Sequence, residues 1–188
     1  MEVRPLGLDG VYEILPKKHG DDRGFFSETY NQKALEEAGI ALDFVQDNHS
    51  FSAAKGVLRG MHYQTPPMAQ VKLVRAVRGR ILDVVADIRK GSPTFGQWVS
   101  VEISAERWNQ ILVPEGFAHG FVTLTENCEV IYKVSELYSP ECDRSIRYDD
   151  PDFAIDWGVD LSTVQLSGKD QAAKPLADHD TGFAYQPA

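Results

Sequence analysis

GVLRGMHYQTPP, residues 56–67, reads as a β-strand closed by a prolyl turn. It carries His62 and, two residues further along the same face, Gln64. Metal-binding β-barrels commonly hold their ion with histidines at i and i+2, a carboxylate and a later histidine. Gln64 is a poor ligand for a transition metal, so the stretch supplies half of such a site. The later histidine is present as His119 in VPEGFAHGF, which leaves a weak carboxamide–imidazole option open. A histidine released from a metal can serve as a general base near neutral pH. On its own, a strand histidine is more often satisfied by the core, so its company decides the reading.

Outward from this stretch, short β-branched runs alternate with Gly, Pro, Asn and Ser clusters. Strands are expected in GVYEIL, LDFVQDNHSF, VLRGMHYQ, VKLVRAVRG, RILDVVADI, GQWVSVEI, QILVPE, HGFVTL and CEVIYKV. One helix is expected in QKALEEA, capped by Asn31 and ended by Gly39. Many strands with few helices predict an all-β jelly roll, or double-stranded β-helix. Beyond Pro140 the chain becomes acidic and rich in Pro and Asp, with room for a short helix. Its apolar residues Phe153, Ile155, Trp157, Leu161 and Leu166 predict a tail packed on the barrel. The whole, residues 1–188, reads as one domain with an N-terminal arm and this C-terminal packing tail. Within ILDVVADI, Leu82, Val84, Ala86 and Ile88 share one face, and Ile81, Asp83, Val85 and Asp87 the other.

The formal net charge of −9 argues against broad nucleic-acid binding, while leaving room for a basic cleft that takes an anionic ligand. The two cysteines, Cys128 and Cys142, form neither a CxxC pair nor a disulfide framework. The N-terminus has no apolar signal core, and no run approaches membrane-spanning length, so a cytoplasmic location with no membrane partner is expected.

Five residues give His62 its chemical context. Lys72, on a strand with Val74 and Ala76, is either snorkelling at an edge or placed in a polar cavity where it would stabilise an oxyanion. Tyr132 lies mid-strand and is core filler unless it faces His62, where it would be an acid. Asp170 in SGKD gains meaning only as a partner for His62. Arg23 in DDRGFF and Arg59 in LRGMH are either surface ion-pair formers or forks for a diphosphate. Strict alternation puts Arg59 and His62 on opposite faces, so both serve one cleft only if Gly60 bulges.

Taken in order, DDRGFFSETYN, FVQDNHSFS, the long block from GVLRGMHYQ to VVADIR, ILVPEGFAHGF, YKVSELYSPECD, RYDDPDFAIDW and LSGKDQAAKPL resemble the dTDP-4-dehydrorhamnose 3,5-epimerases. The resemblance implies a cupin-type jelly roll, a homodimer, and no metal or organic cofactor. It implies His62 as the base paired with Asp170, Tyr132 as the acid, and Lys72 as the group holding the enolate oxygen. Arg23, Glu28, Gln46, Asn48, Arg59, His119 and Lys169 match positions that bind the dTDP-4-keto-6-deoxy sugar, some reaching across the dimer. Tyr138 matches an aromatic that stacks on thymine. Asp143 stands where the family often has glutamate, one carbon longer. The competing readings are an epimerase acting on C3 or C5 alone, a 3,4-ketoisomerase, a metal-dependent cupin oxygenase, and a non-catalytic sugar-nucleotide binding module.

Overall fold

The computed structural model describes residues 1–187. The strands are β1 (Glu2–Pro5), β2 (Tyr12–Leu15), β3 (His19–Asp21), β4 (Gly24–Phe26), β5 (Gln46–Ser52), β6 (Leu58–Gln64) and β7 (Lys72–Arg78). They continue with β8 (Arg80–Asp87), β9 (Trp98–Ser104), β10 (Gln110–Val113), β11 (Phe117–Thr123), β12 (Cys128–Val134) and β13 (Asp143–Ser145). Helix α1 (Gln32–Glu37) forms between β4 and β5, and α2 (Gly168–Gln171) lies in the C-terminal tail. Every strand expected from the sequence is present. The α1 cap is the expected one: the Asn31 side chain accepts the Ala34 N–H at 3.1 Å. Gly39 follows the helix at φ +84°, the left-handed conformation that ends helices.

Two antiparallel sheets build the body. The larger runs β1-β2-β10-β7-β12-β5, the smaller β13-β6-β11-β8-β9, and β3–β4 is a separate hairpin. Inward-facing residues of both sheets, among them Val74, Val85, Ile103, Ile111, Phe121 and Val130, form one buried core. This is the expected cupin-type jelly roll. The alternation in β8 now has a direction. Ile81 and Val85 point into the core between the sheets. Val84, Ala86 and Ile88 point outward and meet Phe153, Ile155, Trp157 and Leu176 of the tail. Full burial of such side chains contributes roughly 1.5–3 kcal/mol each, which holds the tail on the smaller sheet. On the outer face of the larger sheet, Leu35 of α1 and Ile40 cover Ile14, Leu73 and Leu112.

One irregularity positions the site. His119 of β11 pairs with His62, but Phe121 pairs with Arg59, so two steps on β11 oppose three on β6. The extra residue makes a bulge at Gly60, whose φ is +125°. A Cβ on Gly60 would sit 2.5 Å from the Gly120 Cα and 2.8 Å from the His119 carbonyl oxygen. Glycine is therefore required here twice over, by conformation and by space. The bulge resolves the conflict in the sequence, because it turns Arg59 and His62 toward the same cavity.

Candidate active site

A cleft of about 370 Å³ opens between the sheets, lined by Gln46, Asn48, His62, Lys72, Tyr132 and Tyr138 among others. A deeper lobe of about 210 Å³ shares His62, Lys72 and Tyr132 with it and adds Arg59, His119, Phe121 and Asp170. The strand register explains this grouping. On the larger sheet, Asn48 lies directly across from Tyr132. Val74, two residues from Lys72 on the same face, lies across from Tyr132 on the other side. His62 faces them from the smaller sheet.

His62 and Asp170 are 108 residues apart in the chain, yet His62 Nε2 donates to Asp170 Oδ1 at 2.5 Å. The tail reaches β6 through backbone pairing: Leu58 N–H donates to Gln165 O at 3.0 Å, and Val57 bridges Gln165. Helix α2 then begins at Ser167, whose hydroxyl accepts the Asp170 N–H at 3.1 Å and donates to Asp170 Oδ2 at 2.8 Å. Both carboxylate oxygens are thereby fixed, and Asp170 is only 3% exposed. Burial pushes the Asp170 carboxyl up, but hydrogen bonds from His62 and Ser167 outweigh it and leave the group below its ordinary range. For His62 burial dominates and lowers the imidazole, against the opposing pull of Asp170. The ring is thus neutral at pH 7, with Nε2 engaged and Nδ1 left to take a proton.

On the facing wall, Lys72 is 9% exposed and donates to the His62 carbonyl oxygen at 3.3 Å. Desolvation brings its ammonium down to about 8, with Asp143 and Asp83 pulling the other way. Burial raises the Tyr132 hydroxyl, which stays protonated through the neutral range.

A second buried pair was not legible in the sequence. His119 Nε2 donates to both oxygens of Asp83 at 2.9 Å. Burial pushes the Asp83 carboxyl up, opposed by His119 and Lys72. The available signal was Asp83 itself, an acid sharing a strand face with Ile81 and Val85. Ser167 was missed as well, although Ser-x-x-Asp over 167–170 is a capping pattern.

The remaining candidates divide into two groups. Gln46 donates to Asn48 at 2.8 Å and accepts the Tyr138 N–H at 3.2 Å. The Tyr138 hydroxyl donates to Asp143 at 3.2 Å, and Asp143 also pairs with Lys169. Arg59 is held at the lobe by the Ser52 hydroxyl at 3.3 Å and the Phe51 carbonyl at 3.1 Å. Arg23 and Glu28 lie elsewhere. Arg23 is on the β3–β4 hairpin, paired with Asp21 at 2.5 Å, and Glu28 borders a separate cavity with Met1 and His19. Gln64, where a metal site would have its second histidine, has its amide committed to backbone groups of Met68, Leu137 and Ser139.

A neutral imidazole faces a protonated phenol across a cavity, with an ammonium beside them. Such a set can move a proton off carbon on one side and return it from the other, while the cation holds the charge that develops between the two steps.

A sequence model of the family described as dTDP-4-dehydrorhamnose 3,5-epimerase matches residues 5–178. The dTDP-4-dehydrorhamnose 3,5-epimerase of Salmonella typhimurium is 54% identical, over 95% of this chain and 96% of its own. The crystal structure of the Legionella pneumophila dTDP-6-deoxy-D-glucose-3,5-epimerase with dTDP-4-keto-L-rhamnose superposes with a TM-score of 0.93, at 48% identity over 99% of both chains. A 3'-monoepimerase from Streptomyces bikiniensis, solved with dTDP-quinovose, superposes with a TM-score of 0.86 at 36% identity, over 93% of this chain and 87% of its own.

Proposed function

The chain belongs to the dTDP-4-dehydrorhamnose 3,5-epimerase family, and on that premise we infer that it inverts C3 and C5 of dTDP-4-dehydro-6-deoxy-D-glucose. The product is dTDP-4-dehydro-L-rhamnose, and the enzyme is an isomerase of dTDP-L-rhamnose biosynthesis. The observation that carries the mechanism is the His62–Asp170 pair on one wall of the cleft with Lys72 and Tyr132 on the other.

The C4 ketone makes the hydrogens on C3 and C5 acidic. His62 Nδ1 takes one of them, and Asp170 steadies the imidazolium that results. The electron pair moves into an enolate whose O4 is held by Lys72. Tyr132 protonates the same carbon from the opposite face, which inverts it. The tyrosinate and the imidazolium then reset through solvent, and the cycle repeats at the second carbon. Gln46, Asn48, Arg59, His119, Asp143 and Lys169 hold the nucleotide sugar, with Tyr138, 56% exposed, offering its ring to the thymine. The 3,5-epimerases compared are 40–54% identical to the chain, against 36% for the 3'-monoepimerase, which favours action at both carbons.

Residues 1–188 act as one catalytic domain that works as a cytoplasmic homodimer. None of the helices among the described residues is long and apolar enough to cross a membrane. Support for the dimer comes from the exposed Phe26 and Phe51, at 66% and 53%, on the β3–β4 hairpin and the β5 edge strand. Arg23 shares that hairpin with its side chain 90% exposed, so a partner chain's cleft is where it and Glu28 find their ligand. Sedimentation equilibrium is expected to return twice the 21.0 kDa chain mass. A single-chain mass at micromolar concentration would remove the dimer and the role of Arg23 with it.

The pH dependence tests the mechanism. The base must be neutral and Lys72 must be charged, so kcat/KM is expected to fall on both sides. The acid limb lies below the ordinary histidine value of about 6.5, because burial lowers His62. The alkaline limb lies near 8, where Lys72 loses its proton. Lys72→Arg should push that limb to higher pH. If the limb stays near 8 in Lys72→Arg, another group controls it.

A further inference from the structure

We propose that Gln64 is a positioning residue for the nucleoside end of the cleft, where it anchors the backbone on both sides of Tyr138. The inference rests on the reading of Tyr138 as the aromatic platform. Gln64 is 4% exposed, and its amide bonds the residues on both sides of Tyr138 as well as the turn that follows its own strand. Its Nε2 group donates to the carbonyl oxygens of Met68 at 2.6 Å and Leu137 at 3.2 Å. Its Oε1 accepts the Ser139 N–H at 2.9 Å.

Two donors and one acceptor are needed at this point, and among side chains of this length a primary amide supplies them without charge. Leu137 and Ser139 bracket Tyr138, so Gln64 grips the peptide groups on both sides of the exposed ring. The ring's far end is tied to the same strand pair. The Tyr138 hydroxyl donates to Asp143, and Asp143 lies directly across from Gln64 in the β6–β13 register. Gln64 lies two residues beyond His62 on one strand face, roughly 7 Å of strand rise. The position that in a metal-binding barrel carries the second ligand here anchors the segment that recognises the nucleotide.

The probe is dTDP itself, with its affinity measured by calorimetry, together with kcat and KM for the keto sugar. Gln64→Met keeps the volume and leaves the three backbone groups without partners. It is expected to weaken dTDP binding and raise KM by about tenfold, the size of one lost buried hydrogen bond, while kcat changes by less than about twofold. In a Tyr138→Ala background the same change should cost less than about twofold, because the two residues act as one unit.

Gln64→Glu guards against a variant that fails to fold. It retains the Ser139 contact and sets a carboxylate against two carbonyl oxygens. Its dTDP affinity, relative to wild type, should recover as the pH is lowered and the carboxyl becomes a donor. Losses in Gln64 and Tyr138 variants that simply add, or a kcat that falls with KM unchanged, would overturn the proposal. So would a Gln64→Glu affinity with no pH response relative to wild type. If Tyr138→Ala alone leaves dTDP affinity untouched, the platform reading fails instead.

Discussion

His62→Asn abolishes proton exchange at C3 and C5 together, with turnover reduced by about 10²–10⁴-fold or more, the usual cost of removing a general base. The asparagine amide stops short of the Nε2 position, so Asp170 loses its imidazole partner, while its bonds to Ser167 and the Val57–Gln165 pairing keep the tail in place. Both carbons are affected because one imidazole serves both. The alternative of two bases, one for each carbon, would leave exchange at one position intact. Tyr132→Phe supplies the contrast. It removes the acid on the facing wall while His62 can still take a proton, exchange it with solvent and return it from the same side. Deuterium should then wash into the substrate without inversion. Near-normal turnover in His62→Asn would mean that the base assignment is wrong.

Gly60→Ala is expected to destabilise the protein by about 2–5 kcal/mol, combining backbone strain with overpacking. The φ of +125° lies in a region that essentially only glycine adopts, and the new methyl would meet the Gly120 backbone at 2.5 Å. Neither contact is with a flexible side-chain end that could move aside. For a chain of this size the loss corresponds to a fall in Tm on the order of 10 °C. Activity should fall further than the folded fraction does. The bulge is what brings Arg59 and His62 into one cavity, and a misplacement of about 1 Å can cost about 10²-fold. Thermal unfolding followed alongside turnover separates the two effects. A variant with wild-type Tm and activity would show that the bulge is not needed.

The contrast between what was and was not legible follows from the range of the forces involved. Segments such as CEVIYKV and RILDVVADI announce themselves because a half-buried strand alternates its residues. The unforeseen β13 reads DRS and has no such pattern; it is a strand only because β6 offers it an edge. The hairpin strands β3 and β4 are exposed along their length, so hydrophobic patterning has nothing to mark them by. Within the site, the conflict between Arg59 and His62 was visible from period-two alternation, and Gly60 was the visible way out. The contact between His62 and Asp170 was not derivable from periodicity, because it depends on where a tail 108 residues away comes to rest. It entered through family resemblance, and the geometry now has a local cause in the Gln165 pairing and the Ser167 cap. Alternation marks Asp83 only as one member of a strand face; its partnership with His119 depends on that face being the inner one.

The most direct test of the account is proton NMR of dTDP-4-dehydro-6-deoxy-D-glucose incubated with the enzyme in D₂O. The signals from both H3 and H5 are expected to disappear, with formation of the L-lyxo 4-keto sugar. Exchange confined to one carbon would contradict the double inversion, and exchange at neither would contradict proton transfer by His62 on this substrate.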